Sequence, residues 1–347
     1  MGCDPSPTNW MSFIRDDVRM IDLVIPGSHD SATWSMGGFP GPFARTQHCD
    51  LLAQLHSGIR YLDLRVTWSR GRPAIVHYFI TGHATDDLLR EQVAPFVRRF
   101  PSEVVILDFQ ELAPRCRRPV VEQLRQHLDA DRWALPRARF SPALTLGDVR
   151  GGRYRFLVIF GEMGDAEFRQ EERDGWLPEW VLRRGDVLHS PYDARLYASG
   201  PARIPAFLTA HCAAWAKTRD RLFVAQAVCR QSYPATALET LRTLAKGVRG
   251  RSWSRLPHTP AWLDLHHGHH LHEWIAALTP ESPVNILMRD FVDRHPATIA
   301  KALRLNLQRG HAIPGDAARR LEEIAAALEQ ERRPHAETQS HGEAGTG

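Results

Sequence analysis

Along the chain, short runs of continuously apolar residues alternate with longer stretches whose apolar positions recur at helical spacing. The runs predict strands at Asp22–Ser28, Arg60–Trp68, Ala74–Phe79, Glu103–Gln110, Arg155–Gly161, Arg221–Cys229 and Val284–Val292. Most are rich in Val, Ile, Leu and Phe on both of their faces, as strands covered on two sides require. The intervening stretches predict helices at Gln47–Ser57, Asp86–Arg99, Pro119–Asp129, Pro205–Arg219, Ala235–Gly247 and Pro296–Gln308. In the first of these, Leu51, Leu52 and Leu55 form one stripe before Gly58 stops it.

Strand and helix thus take turns from Asp22 to about Asn306, without a repeat or a change of composition. That pattern points to an α/β fold, a single TIM-like barrel, distorted or incomplete, over residues 1–310. Beyond it, "GDAARRLEEIAAALEQERR" predicts a C-terminal helix within 311–333, and the small, polar residues 334–347 predict a disordered tail.

Composition narrows the partners. The chain of 347 residues has a net charge of +4, and its only lysines are Lys217, Lys246 and Lys301. The Arg residues that carry the rest of the positive charge are spread along the chain and interleaved with acids, unlike a nucleic-acid footprint. No apolar run is long enough for a transmembrane segment, and "MGCDPSPTNWMSFIRDD" lacks the pattern of a signal peptide. A cytoplasmic protein, peripheral at membranes where it meets them, is the expectation. The Met-Gly-x-x-x-Ser start, with Gly2, Cys3 and Ser6, is short enough to arise by chance, and lipidation there is not expected. The five cysteines are scattered without a C-x-x-C pair, so neither a disulfide framework nor a zinc site is expected.

A barrel gathers the residues at its strand C-termini at one mouth. His29 and Asp30 follow the first strand, Arg65 lies on the second, His77 on the next and Asp290 on the last. Pro26, Gly27 and Ser28 make a sharp exit that presents His29 rather than burying it. In "YLDLRVTW" the alternation puts Asp63, Arg65 and Thr67 on one face, a polar pocket inside a barrel. Spacing alone leaves open that Arg65 only neutralises Asp63, and that His77 is a packed core residue.

Two His and an Arg suit phosphoryl chemistry. One imidazole deprotonates an attacking hydroxyl, the other protonates the leaving oxygen, and a guanidinium holds the phosphate charge. Asp30 and Asp290 then each orient one imidazole and favour its charged form.

The motifs "IPGSHDS", "GIRYLDLRV", "IVHYF", "FPSEVVILDF", "LFVAQAV" and "VNILMRDFV", in this order from about Trp10 to Asn306, resemble the phosphatidylinositol-specific phospholipase C X-domain-containing proteins. More distantly they resemble the bacterial phosphatidylinositol phospholipases C. The resemblance implies a distorted TIM barrel that works on a phospholipid at a membrane surface. It further implies His29 as base on the inositol 2-hydroxyl, His77 as acid towards diacylglycerol and Arg65 as phosphate clamp. Asp290 would support His29, and Asp30 would support His77. Calcium-dependent relatives carry a metal-binding acid where this chain has Arg65, so no metal and no cofactor are expected.

Bacterial relatives bring a Lys and an Arg to the inositol ring from two strands that here hold Gln110 and, on the other, Phe160 or Gly161. Asp63, Gln110 and Glu162 are therefore the candidates for the head group. In "ATWSMGGFPGPFARTQ", Trp34, Phe39 and Phe43 are candidates for membrane contact, against an ordinary packed loop. The cluster His266, His267, His269, His270 and His272 has spacing too compressed for a defined metal site, and a solvated, pH-sensitive loop or helix start is expected. Two alternatives remain open: a lipid-binding protein using the same pocket without turnover, and a metal-dependent glycerophosphodiesterase, which would need more acids near His29 than Asp30 and Asp63.

Overall fold

Among the described residues, eight parallel strands take their places around one curved sheet in the order in which the chain makes them. In the computed structural model, which describes residues 6–37, 40–230 and 259–330, the sheet runs β7-β6-β5-β2-β1-β10-β9-β8. Its members are β1 (Ile25–Ser28), β2 (Tyr61–Ser69), β5 (Val105–Leu112), β6 (Phe156–Phe160), β7 (Val181–Arg183), β8 (Leu188–His189), β9 (Leu222–Ala227) and β10 (Ile286–Arg289). Since β10 returns to β1, the order is that of a TIM barrel, with the opening between β7 and β8. One helical turn, Arg184–Val187, joins those two strands. A right-handed crossover needs a dozen residues or more, so two short strands joined this tightly do not pair, and the barrel stays open there.

The alternation of strand and helix breaks once. Ala74–Phe79 was expected as a barrel strand; instead β3 (Arg72–His77) folds back antiparallel on β2 and pairs with β4 (Ile80–Ala84). The turn Arg70-Gly71 makes a hairpin of what apolar character alone reads as another parallel strand. β4, β7 and β8 are too short or too polar to announce themselves in the sequence.

The helices follow expectation closely. Pro296–Gln308 is as expected, and Gln47–Ser57 shortens to Leu51–His56 because the Asp50 carboxylate caps the Ala53 N–H. The helix expected to start at Pro119 starts at Pro114, with Pro119 inside it. The span around Asp86–Arg99 is helical in three pieces, Thr85–Leu88, a π turn at Leu89–Val93 and Ala94–Arg99. Pro95, which has no N–H to donate, lies just after that π turn. The His-rich segment is neither loop nor helix start but the body of the helix Pro260–Ala277. Asp316–Gln330 docks Leu321, Ile324, Ala325 and Leu328 against the barrel, mostly on Pro296–Gln308. The expected helix Ala235–Gly247, the tail 334–347 and the start with Gly2 and Cys3 lie outside the described residues.

Apolar residues from every parallel strand fill the barrel wall. At its N-terminal end, buried polar groups tie strands to loops. Asn306 exchanges two hydrogen bonds with the Val24 backbone, like an extra strand residue, and Asn285 donates to Met20 and Leu23. Arg60 and Glu103, both fully buried, form an ion pair at 2.7 Å that links the start of β2 to the start of β5. Gly27 is required by contact: a Cβ there would come within 2.9 Å of the Tyr61 ring. That close approach lets β1 lie beside β2 and deliver the next residues to the mouth.

Candidate active site

At the end of β1 the chain turns through Asp30, a non-glycine residue at φ 43°. Such a conformation costs about a kcal/mol or more and marks places where a side chain is aimed. Four contacts hold the turn. The His29 N–H donates to Arg289 O (3.0 Å), its carbonyl accepts from Gln47 Nε2 (2.9 Å) and Thr46 Oγ1 (3.1 Å), and the Asp30 N–H donates to Asp63 Oδ2 (3.1 Å). Gln47, fully buried, also accepts from the Val292 N–H, so it locks the His29 turn to the end of β10 that carries Asp290.

All five strand-end residues expected from the sequence meet. His29 Nδ1–H donates to Asp290 Oδ1 at 2.7 Å. His29 Nε2 has two kinds of neighbour: Arg65 Nη2 at 3.1 Å, whose N–H a neutral ring accepts, and Asp30 Oδ2 at 3.4 Å, which takes a proton from a charged one. His77 Nδ1–H donates to Ala44 O at 2.6 Å, turning Nε2 to the same Asp30 Oδ2 at 3.3 Å. The two rings stand 6.4 Å apart with one carboxylate oxygen between their Nε2 atoms.

The charges push these groups apart. Burial works against a charged His29, but Asp30 and Asp290 outweigh it and raise its pKa to about 9. Burial lowers that of His77, and the Arg65 charge adds to the effect against the pull of Asp30. Asp30 is buried too, yet Arg65 and both imidazoles hold it below the usual carboxylate range. Burial and the neighbouring Asp30 push Asp63 up to about 6.

Arg65 is the hub. Its Nε lies 2.6 Å from Asp30 Oδ1, an ion pair without the alignment of a hydrogen bond. Nη2 lies 3.7 Å from Asp63, and Nη1 donates to Glu111 Oε1 at 3.0 Å. His29, Asp30 and Asp63 offer donor atoms within 4.8 Å of one another, the spacing of a metal site. They do not fit a divalent cation as they stand, because the guanidinium already lies among them and a second cation would meet it at contact distance.

The site opens into a cavity of about 430 Å³ at the C-terminal ends of the strands, lined by His29, Arg65, His77, Gln110 and residues from the β7–β9 side. Gln110 is on this wall as expected, with its Oε1 accepting from Arg184 Nη2 at 3.4 Å. Asp63 lies buried beneath the cavity rather than on its wall. Glu162, expected to reach the head group, instead lines a neighbouring hollow with Met163 and Arg183. A larger hollow of about 940 Å³ lies on the outer face of the barrel, between the helices Pro260–Ala277, Pro296–Gln308 and Asp316–Gln330, and holds none of these groups.

The aromatic expectation is corrected. Phe43 is 4% exposed and belongs to the interior, not to a membrane rim. Trp34 is half-buried, stacked on His83 at 4.9 Å, and Phe39 lies outside the described residues. The most exposed aromatic among the described residues is Phe79, 82% exposed beyond His77 and Tyr78 in the β3–β4 turn, followed by Tyr192 at 43% on the cavity wall. Phe79 was read as the last residue of a strand, and only the hairpin turns it outward.

Sequence reasoning also missed Arg184, Tyr192 and Glu111 on the cavity wall. Arg184 enters from the single turn between β7 and β8 and donates to the fully buried Asp108 (3.0 Å). Glu111 is brought opposite Arg65 by a β-bulge: Leu64 pairs with Phe109 and Arg65 with Glu111, skipping Gln110.

A barrel of parallel strands with a polar cluster at their C-terminal ends is the general class defined by this fold and site. Within it, the chain is similar to phosphatidylinositol phospholipases C. The 1-phosphatidylinositol phosphodiesterase of Staphylococcus aureus (strain Newman) is 29% identical over 108 residues, 30% of this chain and 35% of that protein. The chain is 25% identical over 321 residues to the PI-PLC X domain-containing protein 3 of Danio rerio, covering 82% of this chain and 89% of the relative. The solved phosphatidylinositol-specific phospholipase C from Listeria monocytogenes superposes with a TM-score of 0.62 at 20% identity, covering 87% of this chain and 99% of that one. The alignment to the first of these curated relatives spans about a third of its length. No family model matches the chain. The resemblance expected from the motifs and the TIM-barrel fold are thus both found.

Proposed function

We propose that this protein is a phosphoric diester hydrolase of the phosphatidylinositol-specific phospholipase C type, cleaving a glycerophospholipid by acid–base catalysis without a metal. The observation that carries the reading is the pair of imidazoles whose Nε2 atoms flank one Asp30 oxygen beside Arg65. His29, backed by Asp290, accepts the proton of the attacking hydroxyl, and His77 delivers one to the departing diacylglycerol oxygen. Arg65 holds the phosphate charge, and the neighbouring hydroxyl of the head group makes the product cyclic before water opens it. No helix among the described residues is long and apolar enough to cross a membrane, and Phe79, two residues after His77 and 82% exposed, offers an apolar side chain to a lipid surface. The direct test is release of water-soluble phosphate from a panel of phospholipids, with phosphatidylinositol as the expected substrate.

One proton on the imidazole pair is the working state. In the free protein it resides on His29, the more basic ring, and Asp30 gives it a path to His77. The pair holds one proton between the lowered value of His77 and about 9 for His29. Above that range the acid is lost; below it the base is lost. The profile of kcat/KM against pH is therefore bell-shaped, with its alkaline limb near 9 and its acid limb below the ordinary histidine range. An alkaline limb near 7 would contradict this protonation scheme.

Activity also survives chelation. The Arg65 guanidinium supplies the positive charge that a bound cation would otherwise bring to the phosphate. Turnover measured with and without EGTA is expected to agree; loss in the chelator with recovery on adding calcium would refute metal independence.

A further inference from the structure

Every guanidinium nitrogen of Arg65 already has a neighbour. Its Nε faces Asp30, Nη2 faces His29 and Nη1 donates to Glu111 at 3.0 Å. Of the carboxylates around it, Asp30 and Asp63 have fully buried side chains, whereas that of Glu111 is 40% exposed. A phosphate oxygen reaching this guanidinium from the cavity meets a donor that already holds an anion. Nη1 carries a second N–H, but an anion bound there lies close to the Glu111 carboxylate on the first and is repelled by it. The buried acids have nowhere to go, but Glu111, at the cavity wall near the end of β5, has solvent to turn into.

We propose that Glu111 is a displaceable internal competitor on the Arg65 clamp, which a phosphodiester must evict and which selects monoanionic diesters against dianionic phosphate. The inference rests on the reading of Arg65 as a phosphate site. It supplies a specificity residue that the sequence motifs do not assign. Selectivity follows from charge: repulsion by Glu111 acts twice as strongly on a dianion as on a monoanion at the same place. A phosphomonoester or free phosphate is thereby rejected more than the diester, the repulsive half of specificity.

The experiment titrates wild type, Glu111→Gln and Glu111→Ala at pH 8 with inorganic phosphate, largely a dianion, and with dimethyl phosphate, a monoanion, followed by NMR. Both variants should bind inorganic phosphate about tenfold more tightly than wild type, a shift of one decade in Kd. Dimethyl phosphate, with half the charge, should gain about threefold. Glu111→Ala covers the case of a Gln that keeps the contact through its carbonyl. A residue of purely structural importance would yield no gain in either. Unchanged or weakened phosphate binding, or equal gains for the two anions, overturns the proposal. Turnover of phosphatidylinositol is measured in parallel: a wild type that cleaves nothing while the variants gain phosphate removes the catalytic reading and leaves this inference standing. A wild type that turns over while the variants gain nothing does the reverse.

Discussion

His29→Ala and His77→Ala each lower turnover of phosphatidylinositol by at least about a hundredfold, the scale of one lost proton-transfer group. The losses differ in kind. General-acid help matters only where the departing oxygen is basic, as in diacylglycerol; a nitrophenolate departs without a proton. With His77 as acid, His77→Ala recovers much of its rate on an inositol phosphodiester with a nitrophenyl leaving group. His29→Ala does not, because the attacking hydroxyl still needs its base. The geometry makes the test sharp. The rings contact the same Asp30 oxygen at 3.4 and 3.3 Å, so distance to the carboxylate does not decide which is acid. Their second partners differ: Asp290 behind His29 is an anion that raises its basicity, whereas the Ala44 carbonyl behind His77 is neutral. Equal losses on both substrates would sink this division of labour, and rescue of His29→Ala alone would reverse it. Near-normal turnover in either folded variant would return that residue to a packing role.

Glu103→Leu destabilises the fold by about 3–5 kcal/mol, because it strands a buried charge. Glu103 Oε2 accepts from Arg60 Nε at 2.9 Å and Nη2 at 2.7 Å, and from the Met11 N–H at 3.3 Å. The rest of the Arg60 guanidinium donates to the carbonyls of Leu55, Ile59 and Thr8. One pair thus joins the N-terminal turns to β2 and β5, far from the mouth where the proposed catalysis takes place. Removing the carboxylate leaves a fully buried guanidinium among carbonyls without its counter-charge. The double replacement Arg60→Met with Glu103→Leu removes both charges and should lose much less than the single variant. Urea denaturation reads this as a shift of midpoint; a single variant as stable as wild type, or a double variant worse than the single, would show that the pair does not carry this part of the fold.

Much of the architecture was legible because its causes are local. A strand covered on both faces must be apolar throughout, so β1, β2, β5, β6, β9 and β10 were visible as runs, and Pro296–Gln308 had the periodicity and the proline start of a helix. The candidate cluster was legible for the same reason: His29, Asp30, Arg65, His77 and Asp290 interrupt or end apolar runs, and parallel strands bring such ends to one mouth.

What only the tertiary structure decided depends on partners distant in sequence. β3 and β4 form a hairpin because of how they pair, and that pairing, not hydrophobicity, puts Phe79 in solvent, whereas Phe43 is buried. The gap between β7 and β8 follows from a connection too short to cross over, and it sends Arg184 into the cavity in place of the expected Glu162. A one-residue bulge in the β2–β5 ladder sets Glu111 against Arg65 where even alternation pointed to Gln110. Arg60 and Glu103, 43 residues apart, carry no local sign of their pairing. Side-chain periodicity tells which residues face inward; register, bulges and loop closure decide which of them meet, and those are fixed by contacts that only the folded chain makes.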